Sequence, residues 1–124
     1  MIIGIGTDIV ETARIAKMIE EHGDAFKSKI FTDAEREESE TRKNIPQYFA
    51  GRWSAKEAMS KALGCGFGAK CSWQDIEIIN NSAGKPEIRL SGTARITADD
   101  MGISGFHVSI SHEKHYACST VVVE

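Results

Sequence analysis

The stretch Phe49-Ala-Gly-Arg-Trp-Ser-Ala-Lys-Glu-Ala-Met-Ser-Lys-Ala-Leu63 constrains this chain more than any other. It reads as one helix, with Pro46 suited to its first turn and the glycine-rich run Gly64-Cys-Gly-Phe-Gly68 to its end. Trp53, Glu57 and Lys61 recur at intervals of four, which stacks an aromatic, a carboxylate and an amine along one face about 6 Å apart. The plainest account of the last two is a surface ion pair worth about 0.2–0.5 kcal/mol. A charged, metal-assisted site is the alternative, and it needs partners from elsewhere in the chain.

The elements on either side are shorter. Ile2 to Thr7 reads as a strand in which isoleucines alternate with Gly4 and Gly6, so its backbone is expected to pass close to a neighbour, with Asp8 at its end. Glu11 to His22 is helical, with Ile15, Met18 and Ile19 as its apolar stripe and Gly23 as its stop. Thr32-Asp-Ala-Glu35 fits a capping box that opens a second, highly charged and solvated helix toward Lys43. Beyond residue 70, alternation marks Ile76–Ile78 and Glu87–Ser91 as a hairpin around Asn80–Pro86, and Thr93 to Met101 as a short helix. Phe106–His112 and Tyr116–Val123 make a second hairpin. The class is α+β: antiparallel hairpins packed with a long helix, in one domain over residues 1–124.

Composition excludes several classes of function. A net charge of −3 argues against general nucleic-acid affinity. No apolar run is long enough to cross a membrane, and the N-terminus has no basic region before its apolar residues, so a cytoplasmic protein is expected. Three cysteines, Cys65, Cys71 and Cys118, form no CxxC motif and are expected to be packed thiols rather than a zinc site or a disulfide framework.

The candidate chemistry lies in oxygen and nitrogen groups. Asp8 and Glu57, if brought together, suit a hard cation such as magnesium, which takes one or two protein carboxylates and completes its shell with phosphate oxygens. Each is equally explained as a solvated acid, and Asp8 as a helix cap. Lys61, Arg52, Lys56 and Lys85 offer a phosphate cradle or an ordinary basic surface. The Gly64–Gly68 turn lacks the P-loop pattern. Ser109-Ile-Ser-His112 suits hydrogen bonding to a ligand better than covalent serine catalysis, since no GxSxG elbow is present. Arg14 and Lys17 beside Met18, with Lys27 and Lys29 beyond, make a basic and apolar surface in an acidic chain.

Together these motifs resemble the holo-[acyl-carrier-protein] synthase family of small phosphopantetheinyl transferases. The matching segments are Gly4–Ile15, Phe31–Glu35, Phe49–Gly64, Gly84-Lys-Pro86 and Ser109–His112. They follow the family's order and span nearly the whole chain. The resemblance implies a 4′-phosphopantetheinyl transferase-like fold and transfer of 4′-phosphopantetheine from coenzyme A to a serine of apo acyl carrier protein. Adenosine 3′,5′-bisphosphate is then the other product, and the reaction supports fatty acid biosynthesis. The resemblance also implies Mg2+ held by Asp8 and Glu57, catalysis by Glu57 and Lys61, and a homotrimer with a site at each subunit interface. It assigns Arg52, Gly64, Lys85, Pro86, Ser109, Ser111 and His112 to the coenzyme A nucleotide, and Arg14 and Met18 to the carrier protein. Glu57, a water on the metal, or Glu35 are candidates for the base. Gly51 and Ser54 stand where the family often has alanine, Cys65 where it has a hydroxyl residue, and His22 where it has a basic or apolar one.

Overall fold

The computed structural model describes residues 1–124. Strand β1 (Gly4–Glu11) leads into helices α1 (Thr12–His22), α2 (Asp24–Ile30) and α3 (Asp33–Ser39), and then into the long helix α4 (Ile45–Leu63). A single 3-10 turn at Trp73–Asp75 precedes the hairpin β2 (Ile76–Asn80) and β3 (Pro86–Leu90). Helix α5 (Gly92–Asp100) and strands β4 (Phe106–His112) and β5 (Tyr116–Val123) complete the chain. The capped helix ends follow the sequence signals, whereas α3 stops at Ser39 instead of continuing toward Lys43. Thr32 and Glu35 form a reciprocal capping box. Asn44 accepts from Gln47 N at 3.1 Å to start α4, and Gly64, at φ 78, stops it in the left-handed conformation.

Strand β5 is the centre of a three-stranded antiparallel sheet, with β1 and β4 at its edges, while β2 and β3 pair separately. The register sets Asp8 opposite Ser119, and Ser119 opposite Ile110. Strand β1 is longer than the sequence suggested: it runs on to Glu11 because Tyr116–Ser119 continues to pair with it, so Asp8 sits mid-strand rather than at an end.

Helix α4 lies across the inner face of this sheet at very short range. A Cβ on Gly6 would stand 1.9 Å from Ala58 O and 2.7 Å from Ala62 N; on Gly4 it would stand 2.3 Å from Ala62 O. These glycines therefore serve backbone-to-backbone contact, as the alternation predicted. Gly51 likewise leaves room for Ile110, whose Cγ2 an added Cβ would meet at 3.2 Å. Ser54 Oγ pairs with Ser119 Oγ at 2.5 Å in the buried contact between α4 and β5.

Fourteen of α4's nineteen residues are buried, so the helix divides two cores. One joins Met59, Ala62 and Leu63 to β2, β3, α5 and the sheet. The other joins Phe49 and Trp53 to Ile15, Phe26 and Phe31. Two sequence expectations fail here for one reason. Helix α3 is not wholly solvated: Glu35 is fully buried, and so is Lys56, which is not part of a phosphate cradle. Lys56 Nζ lies 2.8 Å from Glu35 Oε1 and donates to Trp73 O at 3.0 Å and to Ile76 O. Glu35 Oε2 accepts from Ile78 N at 2.8 Å. Every polar atom of this pair is occupied, which is how two charges persist in an apolar interior.

Candidate active site

Because β1 packs so closely on α4, Asp8 from mid-strand faces the helix beside Glu57 and Lys61. Lys61 Nζ donates to Asp8 Oδ1 at 3.2 Å and to Thr7 O at 2.9 Å. The ion pair expected within the helix, Glu57 with Lys61, gives way to this cross-element pair. Burial raises the Glu57 carboxyl above its ordinary value, and the Asp8 charge raises it further, against the opposing pull of Lys61 and Arg14. Two carboxylates that repel each other at a half-open site form a donor set of hard oxygens. No cluster of three or more metal-ligating side chains occurs in the chain. A pair is nonetheless what magnesium uses when phosphate oxygens supply the rest of its shell, so the residues fit that ion.

Trp53, the third member of the helical stripe, belongs to the core. It stacks on Phe26 at 5.9 Å and on Trp73 at 4.5 Å. Its outer face carries the Arg14 guanidinium at 5.5 Å, so Trp53 anchors an exposed arginine of α1 near the carboxylate pair. Met18 is half-buried against the same aromatic cluster. Lys17, further along α1, pairs loosely with Glu21 at 3.9 Å.

The remaining candidates lie elsewhere. Arg52 is buried, donates to Asn80 Oδ1 at 3.0 Å, and lies over the Tyr48 ring at 4.6 Å. Its Nε and the Tyr48 hydroxyl have no hydrogen-bond partner. Both residues line a cavity of about 250 Å³ with Arg42, Lys43 and His112. Register opposes Pro86 to Asn80, which places Lys85 and Pro86 at the hairpin end nearest Arg52. Gly64 lies at the far end of α4, beside Cys65 and α5.

Ser109 and Ser111 do not join His112. They point to the open face of the sheet, whereas Ile110 and His112 point toward α4, because strand neighbours alternate. Strand β4 is also two strands from β1, roughly 10 Å across the sheet. Within one chain the structure thus brings together Asp8, Glu57, Lys61 and Arg14, and separately Arg52 and His112. Sequence reading missed Tyr48, Asn80, Arg42 and Lys43; the basic pair just before α4 was the available signal. It also held Glu35 open as a base, a role its buried ion pair with Lys56 excludes.

Comparison with known proteins gives the family and the fold. Residues 4–121 match the model of the 4′-phosphopantetheinyl transferase superfamily. The chain is 42% identical over 123 residues to a holo-[acyl-carrier-protein] synthase of Klebsiella pneumoniae subsp. pneumoniae, covering 99% of this chain and 98% of that protein. The crystal structure of a Neisseria meningitidis holo-[acyl-carrier-protein] synthase superposes with a TM-score of 0.93 at 36% identity, over 100% of this chain and 99% of that one. The Helicobacter pylori synthase, solved in complex with coenzyme A, superposes at 0.87 with 33% identity, over 97% and 99% of the two chains.

Proposed function

Since this chain belongs to the 4′-phosphopantetheinyl transferase superfamily, we propose that its coenzyme A reacts beside Asp8 and Glu57. The protein is a holo-[acyl-carrier-protein] synthase: it transfers 4′-phosphopantetheine from coenzyme A to apo acyl carrier protein. The observation that carries the site assignment is the convergence of Asp8, Glu57 and Lys61 from two distant elements.

In this reading a serine hydroxyl of the carrier protein attacks the phosphorus that bears the pantetheine arm. Its proton leaves, the anhydride bond to the nucleotide breaks, and adenosine 3′,5′-bisphosphate departs. Asp8 and Glu57 would hold Mg2+, which would supply positive charge to offset that of the pyrophosphate. Lys61, tethered by Asp8 and Thr7, keeps an ammonium group poised for the phosphate oxygens or the departing one. Glu57 is the carboxylate left to receive the serine proton, since Asp8 is paired with Lys61 and Glu35 with Lys56. Arg52 and His112, with Gly64, Lys85, Pro86, Ser109 and Ser111, hold the nucleotide end. Arg14 and Met18 on α1 receive the acidic carrier protein, with Trp53 supporting Arg14.

The separation of these groups supports a homotrimer with interfacial sites. The outer face of the sheet is uncovered and exposes large apolar side chains among its polar ones: Ile5 and Ile9 are each 67% exposed, and Tyr116 44%. In this reading other copies cover that face, and groups that one chain keeps apart would be completed by a neighbour. No helix is long and apolar enough to cross a membrane. Intact mass of apo carrier protein after incubation with this protein, coenzyme A and magnesium tests the reading. One phosphopantetheine group is gained with the natural chain and none with Glu57→Ala; full activity in that variant would remove Glu57 from the site.

A further inference from the structure

Three aromatic rings from separate parts of the chain stand in file behind Arg14. Phe67, in the loop after α4, stacks flat on Trp73, with ring centres 3.7 Å apart and planes 12° from parallel. Trp73 in turn meets Trp53 at 4.5 Å and 36°. The Arg14 guanidinium lies over the Trp53 ring at 5.5 Å. Trp53 is buried on α4. The backbone of the turn that carries Trp73 is tied down: Trp73 O accepts from the buried Lys56 at 3.0 Å, and Gln74 Nε2 donates to Ser28 O at 2.7 Å and to Phe31 O at 2.6 Å. The Trp73 ring itself is only half-buried, and Phe67 packs flat against it. Arg14 is exposed and forms none of the chain's ion pairs. A ring face holds a guanidinium by its charge and leaves its N–H donors free. An arginine held in this way loses less rotamer freedom when a partner arrives.

We propose that Phe67 and Trp73 are positioning residues for carrier-protein docking: their stack holds the Trp53 ring in the orientation that presents Arg14, already ordered and with its donors free, to an acidic side chain of the incoming protein. The inference rests on the reading of Arg14 as a carrier-protein contact, and adds to it two residues that act only through another. Without the Phe67 ring, Trp73 is free to swing toward solvent. Trp53 then loses the neighbour that limits its tilt, and Arg14 loses its platform. The loss of a cation–π contact at an exposed site corresponds to a rise of about two- to fivefold in KM for the carrier protein. Turnover at saturation and KM for coenzyme A are untouched, because the stack lies behind Arg14 and not between the carboxylates and Lys61.

The test compares Phe67→Leu, which keeps apolar bulk without a ring face, with Phe67→Tyr, which keeps the ring, both in the full chain. Transfer to apo carrier protein is followed over a range of each substrate. Phe67→Leu is expected to raise KM for the carrier protein about two- to fivefold, with kcat and KM for coenzyme A unchanged, while Phe67→Tyr matches the natural chain. In an Arg14→Ala background Phe67→Leu is expected to add nothing, since the ring and the arginine act as one unit. The inference is overturned if Phe67→Leu leaves KM for the carrier protein unchanged, acts independently of Arg14, or raises KM for coenzyme A. Nuclear magnetic resonance reads the same contact without any carrier protein. Above a ring face the Arg14 Nε proton is shielded and resonates upfield of a free arginine. Phe67→Leu is expected to return that signal toward the free position and Phe67→Tyr to leave it in place; a signal that Phe67→Leu does not move would overturn the inference too. If Arg14→Ala alone leaves KM for the carrier protein unchanged, the reading of α1 as the docking face fails, while the resonance still decides whether the stack holds the arginine.

Discussion

Glu57 carries the sharpest conflict in the molecule. Its carboxyl is raised by burial and by Asp8, so the fold favours its protonated form, whereas a bound cation favours the ionised one. A carboxyl raised in this way contributes stability that is fully present below its unfolded pKa and lost as pH rises through its folded one. Glu57→Gln keeps the neutral form at every pH. It is expected to melt higher than the natural protein at neutral pH and at nearly the same temperature in acid, by calorimetry without metal. Its transfer rate is expected to fall about 100-fold or more, the equivalent of several kcal/mol of lost charge stabilisation. In the natural protein the acid limb of the rate profile lies above the usual carboxylate range, and added magnesium moves it down. A limb that ignores magnesium would detach Glu57 from the metal. Sequence spacing singled out Glu57 and Lys61, but on spacing alone the plainest account was a pair between them, whereas Lys61 pairs with Asp8. Nothing local to a helix reveals that a strand residue fifty positions away competes for the same lysine.

Among the elements, α4 owes its position to two contacts of opposite character. One is backbone against backbone at Gly4 and Gly6, which the alternation of glycine with isoleucine made visible in the sequence. Gly6→Ala is expected to cost about 3 kcal/mol or more in denaturant unfolding, because the added Cβ meets main-chain atoms that cannot rotate away. The other is the buried Glu35–Lys56 pair, which joins α3, α4, β2 and the turn at Trp73. It was not legible: lysines and glutamates are so seldom buried that charge alone reads as surface. Glu35→Ala should destabilise by about 3–5 kcal/mol, since it strands a buried ammonium. Glu35→Met combined with Lys56→Met should recover most of that, as two apolar chains of similar length fill the same space. If the double variant were as unstable as the single, the pair itself and not its imbalance would hold the helices.

For the whole molecule, the open face of the three-stranded sheet is the outstanding feature. Its rows alternate across the strands: Ile9, Cys118 and Ser111 lie in one, and Thr7, Thr120 and Ser109 in the next. The α+β class and nearly every element were readable from periodicity, because each has one buried face and one wet face. The open face was not, since exposed isoleucines on a strand look the same as buried ones until the register is known. If three copies close over it, sedimentation reports a trimer. Ile5→Asp with Ile9→Asp then yields monomers whose transfer activity is lost although the fold survives. Fully active monomers would place the complete site within one chain.

The glycine contact between β1 and α4 bears on how such a protein changes over time. Side chains in a core can drift in size, each swap nudging the elements by fractions of an ångström. Here the spacing of Asp8 from Glu57 is set by main chain resting on main chain, with no side chain between. Both cores on either side of α4 can therefore be rewritten gradually while the two carboxylates keep their mutual distance. The chemistry is insulated from the mutational history of the scaffold that carries it.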